Sequence, residues 1–253
     1  MAARYRYGND MSLYRDQAVV LRTQKLGEAD RIITLLTRQH GRLRGVAKGV
    51  RRTKSKFGAR LEPGSHIEVQ LYIGKTFDIV TQVEAIENYG EALTHDYRRW
   101  TVASALLETA ERFTFQEREP ALQEYLLVVA GLKALAEDRH DPSLILDAFL
   151  LRSLAIGGYA PSLTICSRCE LPGPHKYFSL VGGGSVCQNC RPSASATPSI
   201  ETLELMSALL SGDWAVAEVS EGKYRREASG LIAAYLQWHI ERGIRSLPLV
   251  ERA

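Results

Sequence analysis

Between Gln17 and Asn88 the apolar positions fall into five short runs, QAVVLRTQKL, RIITLLTRQH, RLRGVAKGV, HIEVQLYIG and FDIVTQVEAIEN. Each is rich in Val, Ile, Leu and Thr, and the pieces between them, Gly27–Asp30, His40–Gly41, Pro63–Ser65 and Gly74–Lys75, carry turn-forming residues. Runs of this length and composition, bounded in this way, predict strands. Five strands with no helical crossover predict a small antiparallel barrel or sandwich. A barrel of the oligonucleotide/oligosaccharide-binding type, the OB-fold, fits the count, and an SH3-like barrel fits the pattern almost as well.

After residue 90 the period lengthens. Val102, Leu106, Ala110 and Phe113 recur at three- and four-residue steps, as do Leu122, Leu126, Val129, Leu132 and Leu135, and both sets predict amphipathic helices. Leu144–Ile156 is apolar on nearly every face, which suits a helix buried among others. Asp141, Pro142 and Ser143 supply a start signal, and Gly157 with Gly158 a stop. Ser199–Leu210 and Ser229–Ile244 read as further helices, the later stripe being Leu231, Ile232, Tyr235, Leu236 and Ile240. Residues 159–198 are different, being rich in Pro, Gly and Ser, without a long apolar run, and holding all four cysteines.

Cys166 and Cys169 form one C-x-x-C pair and Cys187 and Cys190 another, with seventeen residues between the pairs. This spacing is that of a zinc site, in which two knuckles turn four thiolates onto one tetrahedral ion. Two disulfides are the competing account, disfavoured in a reducing compartment. Four protein ligands leave no open position, so the expected zinc is structural and supplies folding energy to a segment too small to fold alone. The glycine triplet Gly182–Gly184 is expected to be a hairpin turn leading into the second knuckle. The fold class is therefore α+β and multidomain: a five-stranded OB-fold barrel over 1–88, a mostly helical domain over 89–158 and 199–253, and the zinc module inserted at 159–198.

The charge is unevenly placed. Residues 1–88 carry sixteen Lys/Arg against nine Asp/Glu, and the rest carry sixteen against twenty, so the two parts are about +7 and −4. The excess concentrates in GRLRGVAKGVRRTKSKFGAR, residues 41–60, with eight cations and no acid: Arg42, Arg44, Lys48, Arg51, Arg52, Lys54, Lys56 and Arg60. In an extended strand, alternation puts Arg42, Arg44, Val46, Lys48, Val50 and Arg52 on one face and Leu43, Gly45, Ala47 and Gly49 on the other. Gly45 and Gly49 are expected where the barrel wall coils tightly. The loop beyond need not be ordered without a partner. Phosphate is the natural counter-charge, and such contacts hold backbone without reading sequence. Phe57, Tyr72 and Phe77 lie nearby and are candidates for base stacking, though core or turn packing accounts for each as well.

Several chemistries are excluded. The run LILDAFLLRSLAIGG is interrupted by Asp147 and Arg152 and is too short for a membrane span, which needs roughly 20 apolar residues. No apolar run follows the N-terminal charges, so a cytoplasmic protein without a secretory signal is expected. Residues 1–10 read equally as an extension of little structural role, because the text from Met11 can itself open the protein. Gly74-Lys75-Thr76 lacks the glycine of a phosphate-binding loop, having Val69 at that position. His66-x-Glu68 lacks the Pro-Cys-x-x-Cys partner of a zinc deaminase, since Ile165 precedes Cys166. No catalytic site is expected.

The text RDQAVVLRTQKLGEADRIITLLTRQHGRLRGVAKGVRRTKSKFGARLEP, followed by GYAPSLTICSRCE and the second knuckle, resembles the bacterial RecO family of DNA repair proteins. GVAKGVRR with SKFGA carries most of the likeness, which spans residues 15–190. The resemblance implies an N-terminal OB-fold, a helical domain and a zinc module in a recombination mediator that binds single- and double-stranded DNA and anneals complementary strands. It further implies association with RecR and help in loading RecA onto strands coated by single-strand-binding protein, in the cytoplasm at the nucleoid. Two other classes remain on the residues alone: an RNA-binding zinc-ribbon factor of translation or transcription, and a metal-dependent nucleic-acid enzyme, which the closed sulfur shell disfavours.

Overall fold

A computed structural model describes residues 13–240 and 243–250. The expectation for residues 1–10 lies outside them. Contacts divide the chain into two compact units, Met1–Asn88 with Gln116–Leu122, and Tyr89–Phe115 with Gln123–Ala253.

The first unit is a five-stranded barrel of β1 (Leu13–Leu26), β2 (Asp30–Thr37), β3 (Gly41–Ala47), β4 (Ser65–Tyr72) and β5 (Asp78–Asn88). Around it the order is β1-β2-β3-β5-β4, closed by β4 on β1. Three meandering strands with a fourth returning beside the first make a Greek key, and β5 completes the ring between β4 and β3. All neighbours are antiparallel except β3 and β5, which run parallel at Gly45↔Asp78 and Val46↔Ile79. This arrangement is the OB-fold rather than a simple up-and-down barrel. β1 begins four residues earlier than its apolar run, because Leu13–Val19 pairs with β4 while Ala18–Leu26 pairs with β2. A register shift between Val20 and Arg22 bends it from one partner to the other.

Inward residues Ala18, Val20, Ile33, Leu35, Leu43, Ile67, Val69 and Leu71 fill the barrel, joined by Phe57 and Leu61 from the β3–β4 connection. Leu61 ends a 3-10 turn, Gly58–Leu61. Burying side chains of this size contributes about 1.5–3 kcal/mol each. The basic connection, whose text does not require order without a partner, is thus pinned at its middle by two core residues.

The second unit is helical: α1 (Tyr89–Leu93), α2 (Tyr97–Phe113), α3 (Leu122–Ala136), α4 (Pro142–Ile156), α5 (Ile200–Ser211), α6 (Trp214–Glu218) and α7 (Gly222–His239), with a two-stranded ribbon β6 (Tyr177–Ser179) and β7 (Gly184–Val186). α4 is the central helix, packed against α2, α5 and α7 and buried from Ser143 through Leu151. Its start is as predicted: the Asp141 carboxylate accepts the Ser143 N–H at 2.8 Å, with Pro142 in the first turn.

Three sequence expectations shift here. On α3, Leu122 and Leu126 are exposed, and the buried face carries Glu124, Tyr125, Val128, Leu132 and Leu135. The helix is apolar on several sides, so periodicity alone did not fix its rotation. α7 starts seven residues before Ser229 and ends at His239, its polar first turns having hidden it. The short α6 was not expected; Asp213 caps it by accepting the Val216 N–H. Among the described residues, no helix is long and apolar enough to cross a membrane.

Candidate nucleic-acid interface and metal centre

On β3 the predicted alternation holds over seven residues, with Gly41, Leu43, Gly45 and Ala47 buried and Arg42, Arg44 and Val46 facing outward. Gly45 sits where a Cβ would press on Val80 and Leu71 at 3.0 and 3.2 Å, so the tight wall expected there is present. The strand then stops. Gly49 has φ +66°, and its N–H donates to the Asp30 carboxylate at 2.7 Å, which turns the chain away from β2. Lys48, Val50 and Arg52 therefore do not continue the strand's outer face, contrary to the alternation drawn through them. Val50 instead packs toward the core.

Six of the eight candidate cations occupy the β3–β4 connection: Lys48, Arg51, Arg52, Lys54, Lys56 and Arg60, all exposed. Arg51 donates to the Glu28 carbonyl at 2.9 Å, Lys56 to the Thr81 carbonyl at 2.8 Å, and Arg60 to the Lys56 carbonyl at 3.2 Å. These bonds hold the loop against the barrel through neutral acceptors and leave the charges unneutralised. Among the described residues no carboxylate pairs with any of the six. Of the aromatic candidates, Phe57 is 2 % exposed and belongs to the core, so base stacking is not open to it. Phe77 is half-buried beneath the Arg44 guanidinium, 4.8 Å from its ring centre. Tyr72 is also half-buried.

Arg42 and Arg44 differ from the six, because a carboxylate distant in sequence reaches them. Glu117 Oε1 lies 2.5 Å from Arg44 Nε and 3.8 Å from Arg42 Nη1. Its segment, Gln116–Leu122, docks beside β3: Arg118 N–H donates to the Arg42 carbonyl at 2.8 Å, and Arg118 Nη2 reaches Asp78 Oδ1 at 2.6 Å. Gly41, with φ +67°, makes room for this strap, since a Cβ there would lie 1.7 Å from the Glu119 carbonyl oxygen. Asp78 is fully buried and also accepts from the Tyr14 hydroxyl. Burial and this carboxylate together push the Tyr14 phenol well above its usual range, so it stays neutral. Burial works against the Arg118 charge, but Asp78 and Tyr14 together offset it and raise the guanidinium's pKa. Nothing in residues 41–60 announces this strap; the acidic text QERE offered the only signal, without a register.

The four cysteines converge, with their sulfur atoms all within 4.8 Å of one another. Cys169 and Cys187 Sγ are 3.8 Å apart. A disulfide needs about 2.05 Å, whereas a tetrahedron with metal–sulfur bonds of about 2.3 Å has edges of about 3.8 Å. The set therefore fits a four-thiolate metal shell and not two disulfides. Backbone builds each knuckle: Cys166 N–H donates to Leu171 O at 2.9 Å, and Cys190 N–H to Cys187 O at 3.1 Å. Hydrogen bonds to its sulfur, first from the Cys187 N–H, bring the Cys166 thiol down to about 6. The opposite holds for Cys190, pushed up to about 12 by the neighbouring sulfurs of Cys187 and Cys169. Gly182 and Gly183 lie in the turn between β6 and β7, where the hairpin was expected, and Gly184 opens β7 against the Ser162 backbone.

Comparison with known proteins bears on both sites. Residues 11–89 match the family description Recombination protein O N terminal, and residues 94–248 match Recombination protein O C terminal. The chain is 60% identical over 248 residues to a protein of Streptomyces avermitilis named DNA repair protein RecO, covering 96% of this chain and all of that one. Proteins of the same name from Streptomyces griseus and Thermobifida fusca are each 59% identical, over 248 and 243 residues, again covering 96% of this chain and the whole of the relative. The barrel, the helices from α2 onward and the cysteine cluster all lie within matched segments, and the chain belongs to the RecO family of DNA repair proteins.

Proposed function

We propose that this protein is a non-enzymatic recombination mediator that holds single- and double-stranded DNA by the backbone and anneals complementary strands. The observation that carries this reading is the β3–β4 connection, where six cations that no carboxylate pairs with among the described residues stand on an OB-fold barrel. Arg44 adjoins the same surface, while Arg42, expected to share it, lies beneath the Gln116–Leu122 strap. Charges that meet phosphates leave base edges free, so two strands held this way can still pair, and annealing needs no chemical step. In this reading the DNA-binding domain is 1–88, the helical domain is 89–158 with 199–253, and 159–198 is a module closed by one structural zinc ion on Cys166, Cys169, Cys187 and Cys190. Zinc is the metal best suited to four thiolates in tetrahedral array, and it would contribute folding energy rather than reactivity.

The partners implied by family membership are RecR, single-strand-binding protein and, through them, RecA, with the protein acting in the cytoplasm at the nucleoid. Exposed apolar side chains on the helical unit, among them Leu126, Val219 and Trp238, supply surface for protein contacts. The test is annealing of complementary oligonucleotides precoated with single-strand-binding protein. Faster duplex formation with the protein, lost when the loop cations are reversed, is expected. Annealing at the unaided rate would overturn the proposal.

A further inference from the structure

Resting on the nucleic-acid reading above, we propose that Glu117 is a built-in competitor of phosphate at Arg44. Its carboxylate lies where a strand's phosphate oxygen would bind, so it weakens the grip of the barrel on nucleic acid and shortens the stay of each strand.

The geometry is specific. Arg44 stands on the outer face of β3 with its side chain 40 % exposed, its guanidinium over Phe77 and its Nε on Glu117. A carboxylate and a phosphate present the same kind of oxygen to a guanidinium, so they compete for the same donors. Arg42 is 13 % exposed and beyond a strand's reach while the strap lies over it; Arg44 is reachable with the strap in place. The competitor is held there by its backbone rather than by its own ion pair. Arg118 N–H on the Arg42 carbonyl, the Arg118–Asp78 pair and the close fit of Glu119 on Gly41 fix the strap at the two residues that follow Glu117. The carboxylate thus stays at high local concentration whatever the salt. Its hold on Arg44 is that of a partly exposed ion pair, which is weak. The device therefore lowers affinity by a step and does not close the site. For a protein that must release strands after pairing them, a lower affinity at the strand face is an advantage.

The experiment is a double-mutant cycle on the full chain, with Glu117→Gln, Arg44→Gln and the pair, reading the binding of a labelled oligothymidylate by anisotropy over a range of salt. Glutamine keeps an acceptor for Arg44 and removes the charge. Gaining one phosphate contact multiplies the association constant about fivefold at about 0.1 M salt and steepens the log–log salt slope by about 0.7. Glu117→Gln is expected to show both changes. Arg44→Gln is expected to cost much more in the Glu117→Gln background than in the parent. Glu84→Gln, which removes an exposed charge of β5 that among the described residues accepts from Gln82 and pairs with no arginine, controls for net charge. Equal effects of Glu117→Gln and Glu84→Gln, or a cost of Arg44→Gln that is the same in both backgrounds, would overturn the proposal. Because the cycle compares backgrounds, a modest loss of stability in one variant does not blur it. If the parent shows no salt-dependent binding, the nucleic-acid reading itself fails; if it binds with a steep slope but shows no coupling, only the role of Glu117 fails.

Discussion

Replacing Lys48, Arg52 and Lys54 together by glutamine removes half of the unneutralised charge on the β3–β4 connection. All three are exposed, and among the described residues their side chains make no hydrogen bond or ion pair, so each change is expected to move stability by no more than about 0.5 kcal/mol. The effect on binding follows from counting. If the six loop cations all meet phosphates of a single strand, log K falls with log salt at a slope of about −4, and with three of them gone the slope is about −2. Raising salt from about 0.1 to about 0.2 M then weakens the parent about eighteenfold and the variant about fourfold. Anisotropy of a labelled oligonucleotide across a salt series, with melting temperatures recorded in parallel, measures both quantities. A variant that keeps the parent's slope and stability would refute the placement of phosphates on this loop. A change of slope on several unrelated sequences alike would agree with backbone contact.

Three further outcomes are expected. The protein should carry about one equivalent of zinc, and a strong chelator should make trypsin cut first at Arg168 and Lys176, both exposed beside the cysteine cluster; an unchanged cleavage pattern would count against a structural metal. Burial raises the Glu124 carboxyl from 4.5 to about 7, so the folded state holds its proton more tightly than the unfolded chain does, and stability should fall by about 3 kcal/mol as pH rises from about 4.5 to about 7. Glu124→Gln, which keeps the acceptor for Ser153 Oγ, should abolish that part of the slope in urea unfolding at pH 5 and pH 8; parallel pH profiles would refute it. Gly41→Ala should destabilise by at least about 3 kcal/mol, through backbone strain and a collision with the Glu119 carbonyl. Gly58→Ala, with φ +55° and open space around it, should cost only about 1–2 kcal/mol, and equal losses would deny the strap its tight fit.

Elements that owe their form to local text were legible in the sequence. Strands bounded by turn residues, the capped start of α4, the two knuckles and the glycine hairpin all declare themselves within a dozen residues. The limits came where position depends on a distant partner. β1 runs past its apolar core because β4 supplies hydrogen bonds to Leu13–Asp16, which no local pattern encodes. For Phe57 the text favours core or turn packing over base stacking, but only the barrel interior decides for the core. The eight cations read as one patch, yet Glu117, seventy-three residues from Arg44, separates two of them from the rest. α3 hid its buried face because Leu122 and Leu126 are as apolar as the residues that turn inward, while the buried Glu124 looks like a surface residue. Charge and periodicity are local quantities, and neither registers a neutraliser or a packing partner brought from elsewhere.

The double pairing of β1 also sets the order in which the barrel can form. The pairings of β1 with β2 and of β2 with β3 join near neighbours, but Val19 meets His66, forty-seven positions on, and Leu13 meets Tyr72. Such distant pairings form late, since the intervening chain must first be gathered in. On a ribosome the three-strand meander can assemble while β4 is still being made, leaving the front of β1 as an open edge with unpaired backbone groups. The stretch that later lengthens the barrel's most extensive strand is, for those moments of synthesis, the place where two nascent chains would most readily join.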